Sequence, residues 1–121
     1  MLKIALITNF NIPEKANAAT VVAERLVGKD CRILVAAFNK EKLIRAGKHR
    51  NEFVYMPLEA VYSEADIIIV LGGDGTILRV AKKIVQNDLP ILGVNMGHLG
   101  YLADVDKSNV FSALDALCEG A

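Results

Sequence analysis

Apolar residues along the chain follow two patterns, consecutive runs and longer stretches in which they recur every three or four positions. The consecutive runs are Ile4 to Thr8, Arg32 to Ala37, Ala65 to Leu71 and Pro90 to Val94. Runs without polar alternation are what parallel strands buried on both faces look like. Ala65-Asp66-Ile67-Ile68-Ile69-Val70-Leu71 is the strongest of them, because three isoleucines and a valine are β-branched. Between the runs lie helical stretches. From Glu14, Ala19, Val22, Ala23, Leu26 and Val27 fall at helical spacing, and Gly28 stops them. Thr76 to Gln86 predicts a second helix, with Ile77, Leu78, Ala81, Ile84 and Val85 on its buried face and Arg79, Lys82 and Lys83 elsewhere. Asn87, Asp88 and Pro90 end it. A last helix, capped by Asp106 or Ser108, carries Val110, Phe111, Leu114, Leu117 and Cys118 as its stripe. Weaker signals predict a short extended piece at Phe53 to Leu58 and one helical turn at Glu59 to Glu64. Alternating strand and helix predict an α/β fold, a Rossmann-like three-layer α/β/α sandwich on a mostly parallel sheet.

Composition narrows the class. At 121 residues the chain suits one domain, able to bury roughly two thirds of its unfolded surface without disulfide staples. Fourteen Lys and Arg balance fourteen Asp and Glu, so nothing in the overall charge points to nucleic acid or a membrane surface. Cys31 and Cys118 form no Cys-x-x-Cys, which leaves no zinc or disulfide framework and a reducing cytosol as the expected compartment. The apolar start, Met1 to Ile7, is too short for a signal-peptide core or a membrane span. Charge is concentrated in one place. Asn39 to Arg50 holds Lys40, Lys42, Arg45, Lys48 and Arg50 against Glu41 alone. Such a group can attract nucleotide phosphates, although a solvated face is its commoner role.

The chemistry lies in two glycine turns. Leu71-Gly72-Gly73-Asp74-Gly75-Thr76-Ile77 follows the strongest strand and opens a helix. The ends of such strands are where α/β folds bind ligands. Glycines permit close approach to the main chain, and the free N–H groups of the helix start suit a phosphate. Asp74 conflicts with that cradle, since a carboxylate repels an anion unless it binds a metal, accepts a proton or orients a hydroxyl. The conflict points to phosphoryl transfer. Taken alone, the turn reads equally well as a βα corner with Asp as its cap. It is not a Walker motif, having no Gly-Lys-Ser/Thr, nor a dinucleotide fingerprint, lacking the third glycine. The second turn, Asn95-Met96-Gly97-His98-Leu99-Gly100-Tyr101-Leu102, follows the next strand. Two neighbouring parallel strands each ending in a glycine loop make a cleft, which favours a site over a simple corner. A lone loop histidine such as His98 more often serves as a hydrogen-bonding residue than as a base, and Tyr101 either stacks on a base or packs.

Together, Ile68 to Arg79 and Pro90 to Leu102 resemble the N-terminal domain of the NAD kinase family. Gly-Gly-Asp-Gly is shared with phosphofructokinases and with diacylglycerol and sphingosine kinases; the second loop at this distance narrows the resemblance. It covers the chain from Ile4 and is strongest from Asp66 to Asp104. It implies transfer of the γ-phosphoryl of ATP, or of polyphosphate in some members, to the 2′-hydroxyl of the adenosine ribose of NAD. Asp74 would be the catalytic proton acceptor. Gly72, Gly73, Asp74, Gly75, Thr76, Arg79, Asn95, Gly97 and Tyr101 would contact the nucleotides, with Arg79 on the dinucleotide and Tyr101 near the adenine. A divalent cation, normally magnesium, would accompany ATP, and no protein metal ligands are expected. The resemblance also implies a cytoplasmic homo-oligomer with small-molecule nucleotides as partners. Family members carry a β-rich C-terminal domain with an Asn-Glu pair; here the only Asn-Glu is Asn51-Glu52, upstream of the glycine turn. Residues 1–121 are therefore expected to be the N-terminal α/β domain, inactive without its partner domain. The alternatives are a non-catalytic nucleotide-binding module and a lipid or sugar kinase domain sharing the first loop.

Overall fold

The computed structural model describes residues 2–84 and 89–95. Five strands form one all-parallel sheet. They are β1 (Leu2–Ile7), β2 (Cys31–Ala36), β3 (Phe53–Met56), β4 (Ile67–Gly72) and β5 (Ile91–Asn95). Their spatial order is β3-β2-β1-β4-β5. Every residue of β4 is buried, as its uninterrupted apolar run requires of a strand covered on both faces. Register carries the side chains to alternate faces: Ile4, Leu6, Ile33, Val35, Ile67, Ile69 and Leu71 join one core, and Ala5, Leu34, Ile68 and Val70 the other.

Each core is closed by its own helices. The first is covered by α1 (Pro13–Leu26), through Ala16, Ala19, Val22, Ala23 and Leu26, and by Leu43 of α2 (Lys40–Arg45). Pro13 pre-sets the first turn of α1, and the chain leaves through Gly28 at φ +89°, a left-handed angle that suits glycine. The second core is covered by α3 (Leu58–Glu64), through Val61, and by α4 (Asp74–Ile84), through Val80. The chain thus winds one way from β1 to β3 with α1 and α2 on one face. It then crosses over and winds the other way through α3 and α4 on the opposite face, as right-handed crossovers demand. The reversal falls between β1 and β4, the switch point where α/β folds open a crevice.

Two details differ from the sequence expectation. The basic stretch after β2 contains a helix, α2, with a 3₁₀ turn at Ala37–Asn39 before it. In α4, Leu78 is not on the buried face: it is 57% exposed, while Val80 is 5% exposed and packs on the sheet. At about 100° per residue, Ile77, Val80 and Ala81 share one face and Leu78 falls well off it. The predicted last helix lies outside the described residues, as does the second glycine turn beyond Asn95.

Candidate functional site

The site is built on the carboxyl ends of β1, β2 and β4. The loop leaving β1 is shaped by Asn9, whose side-chain Oδ1 accepts from the N–H of Asn11 and whose carbonyl accepts from the N–H of Ile12. Phe10, 8% exposed, anchors that loop in the first core. Across the switch point the hydroxyl of Thr8 donates to the carbonyl of Leu71 at 2.7 Å, tying the end of β1 to the end of β4. At the other side of β4, Gly72 pairs in register with Asn95, the last residue of β5. The two glycine-bearing strand ends are therefore neighbours at the same sheet edge.

The first glycine turn is tighter than a strand-turn-helix pattern reveals. α4 begins at Asp74, two residues earlier than periodicity predicts, and the carbonyl of Gly73 accepts from the N–H groups of Thr76 and Ile77. A Cβ on Gly72 would stand 2.9 Å from Cβ of Thr76, so glycine is required there by packing. Gly73 and Gly75 differ. Neither has a left-handed φ, and a Cβ on either would meet nothing within 4 Å among the described residues. Packing among the described residues does not demand glycine at either position, although at Gly75, inside α4, glycine weakens a helix by about 1 kcal/mol relative to alanine. The bare main chain is open to another molecule. Asp74, between them, starts the helix by its backbone position.

A cavity of about 400 Å³ opens beside this turn, between α3 and α4 and over the ends of β1 and β2. Thr76, Arg79, Val80 and Lys83, at successive turns of one side of α4, line it, and so does Tyr62 from α3. The other predicted contacts divide. Gly72, Gly73 and Gly75 lie at the turn rather than on the cavity wall, Asn95 ends β5, and Gly97, His98 and Tyr101 lie outside the described residues. Of the five cations between Asn39 and Arg50, only Lys42 lines the cavity. Arg45 pairs with Glu41 at 2.6 Å, Arg50 with Glu52 at 3.1 Å, and Lys40 stands over the ring of Tyr55. Asn51 and Glu52 precede β3, at the sheet edge opposite the carboxyl ends.

Sequence reasoning missed three contributors. Thr8 reads as the last residue of a strand, Lys83 as a solvent-facing helix residue, and Asn39 as the start of a basic stretch. Only the topology brings them to one crevice.

Comparison with known proteins agrees with this arrangement. The chain is 38% identical over 120 residues to the NAD kinase of Methanothermobacter thermautotrophicus, covering 99% of this chain and 40% of that protein. It is 35% identical over 125 residues to the NAD kinase of Caldanaerobacter subterraneus, again 99% of this chain and 40% of the relative. The chain thus spans about two fifths of the length of these relatives. Among solved structures, yeast NADH kinase complexed with NADH superposes with a TM-score of 0.67 at 18% identity, covering 94% of this chain and 38% of that one. This likeness establishes the shared fold. The family pattern of the ATP-NAD kinase N-terminal domain matches residues 4–121, and this chain belongs to that family.

Proposed function

We propose that this chain, joined to a C-terminal domain, transfers the γ-phosphoryl of ATP to the 2′-hydroxyl of the adenosine ribose of NAD, giving NADP. Residues 1–121 form the N-terminal α/β domain of that enzyme. Asp74 aligns the hydroxyl and accepts its proton; Gly72, Gly73, Gly75 and Thr76 hold the nucleotides at the first turn, Arg79 on α4, and Asn95, Gly97 and Tyr101 on the second. The observation that carries this reading is the pair Gly73 and Gly75, bare backbone with no packing reason for glycine among the described residues, flanking an aspartate at the end of the central strand. A binding module has little use for a carboxylate facing phosphates, and this favours catalysis over mere retention.

An aspartate is a weak base toward a ribose hydroxyl. Alignment of the reactants supplies most of the rate, and proton acceptance adds ~10²–10⁴-fold. Among the described residues no group of three or more His, Cys, Asp or Glu could hold a metal. Magnesium enters as part of the MgATP substrate. No helix among the described residues is long and apolar enough to cross a membrane.

The test is NADP formation. The 121-residue chain alone should give none, and the same chain fused to the C-terminal part of the Methanothermobacter relative should turn over. Asp74→Asn in the fusion should keep the fold and lose activity by about 10²-fold or more. A folded, inactive fusion would overturn the reading, and unchanged turnover in Asp74→Asn would remove that residue from the mechanism.

A further inference from the structure

Three of the five residues from Gly72 to Thr76 are glycine, the residue with the widest choice of backbone angles, so this turn does not fix its own geometry. Close packing fixes part of it. A Cβ on Gly72 would stand 2.9 Å from Cβ of Thr76, and one on Gly93 of β5 would stand 3.1 Å from Cγ2 of Ile77. The first turn of α4 is therefore seated hard against the ends of β4 and β5. Gly72 also pairs in register with Asn95. These contacts restrain the turn from the β5 side.

The β1 side is held differently. Register between β1 and β4 ends at Ile7 and Val70, yet the hydroxyl of Thr8 reaches the carbonyl of Leu71 at 2.7 Å and donates to it. A side-chain donor here keeps a strand-end carbonyl bonded while the backbone after Thr8 leaves the sheet. The anchor is itself firm. Leu6 before it and Phe10 after it are both buried in the first core, and Asn9 closes a turn by accepting from the N–H of Asn11. The accepting carbonyl belongs to the peptide that leads into Gly72, two residues before Asp74. At ~3.8 Å per residue Asp74 lies within ~7 Å of Gly72, so a swing of ~10° in that peptide displaces it by about 1 Å.

We propose that Thr8 is a positioning residue for the reaction at Asp74: its hydroxyl fixes the Leu71–Gly72 peptide and thereby the place of Asp74 relative to the ribose hydroxyl. This rests on the kinase reading for what Asp74 does, and not for how the turn is held. A misplacement of about 1 Å is enough to cost ~10²-fold in rate. Thr8 also lines the crevice, so a direct contact to a nucleotide is the competing role. The two differ in their kinetics. Loss of a contact made equally in the ground and transition states raises KM, whereas a misplaced Asp74 lowers kcat.

The experiment compares Thr8→Val, Thr8→Ser and Thr20→Val in the fused two-domain enzyme, by steady-state kinetics and by amide hydrogen exchange. Thr20 is the matched control, because its hydroxyl is likewise part-buried and donates to a main-chain carbonyl, that of Ala16 at 2.9 Å within α1. Thr8→Val should lower kcat by about tenfold to a hundredfold, with KM for either nucleotide changing by less. It should also speed exchange at Gly72 to Thr76 more than in β2. Thr8→Ser keeps the donor and should restore both readouts, and Thr20→Val should leave both unchanged. A rise in KM at unchanged kcat assigns the direct contact and overturns the proposal. Exchange at the turn that matches the unsubstituted protein, or that rises only in step with the whole sheet, overturns it as well. Failure of the kinase reading shows separately. If the unsubstituted fusion is folded and makes no NADP, that reading falls, while selective loosening of the turn in Thr8→Val upholds the hold on the turn and its absence overturns it.

Discussion

The hydroxyl of Thr8 donates to the carbonyl of Leu71 at 2.7 Å, joining the ends of β1 and β4 where the winding of the sheet reverses. Beyond the register pair Ile7 and Val70, Thr8 and Asn9 after β1 and Thr76 of α4 line the crevice. The bond therefore holds the floor between them. Thr8→Val keeps the shape and removes the donor. It should cost about 1 kcal/mol in urea unfolding and weaken nucleotide binding, with the sheet intact by circular dichroism. An unchanged unfolding midpoint would mean that solvent replaces the bond without loss.

The glycines of the first turn should separate into two kinds. Gly72→Ala places a methyl 2.9 Å from Cβ of Thr76, an atom held by the helix backbone, so the start of α4 must shift at a cost of about 1–3 kcal/mol. Thr76→Gly should remove part of that cost in a double-mutant cycle. Gly75→Ala meets nothing within 4 Å among the described residues and lies within the helix, and it should raise stability by roughly 0.4–1 kcal/mol while weakening nucleotide binding. Stability and binding moving in opposite directions would mark Gly75 as kept open for a ligand. A Gly75→Ala protein with full affinity would show that the space is unused.

Leu78 and Val80 test the orientation of α4. Val80 is buried against Ile68 and Val70, and its truncation to alanine should destabilise the domain by about 1–3 kcal/mol. Leu78→Gln changes an exposed side chain and should stay within about 0.5 kcal/mol. Reversed results would mean that α4 is rotated from the arrangement described.

Burial pushes the phenols of Tyr55 and Tyr62 above their ordinary value by disfavouring the charged form. The unfolded chain loses these protons near pH 10, while the folded chain retains them to higher pH. Folded protein then binds more protons than unfolded, so these groups make stability fall as pH rises above about 10 and leave it flat below. Urea midpoints measured from pH 8 to 11 should decline less steeply in the Tyr55→Phe, Tyr62→Phe protein. Parallel declines would show that the phenols titrate alike in both states.

The sheet and its cover were largely legible in the residues themselves. Ile67 to Leu71 could be read as a buried central strand because continuous β-branched residues leave no polar face to expose. Ala19, Val22, Ala23 and Leu26 marked the covered side of α1, since helical spacing is a local property. Pro13 and Gly28 marked its limits for the same reason. Leu78 shows where that reasoning stops: its hydrophobicity suggested burial, but the direction of α4 over the sheet is set by what Ile77 and Val80 can reach. The site was legible only in part. Gly72 to Thr76 announces itself because main-chain freedom and a carboxylate are written in adjacent residues. The crevice is not, because Thr8, Lys15, Asn39, Lys42, Arg79 and Lys83 come from three helices, a 3₁₀ turn and the loop after β1, which meet only once β1 and β4 lie side by side. Local sequence determined which strands and helices form and where a phosphate-compatible turn sits. Tertiary structure alone decided which cations line one cavity, because charge convergence depends on distances through space that no spacing along the chain records.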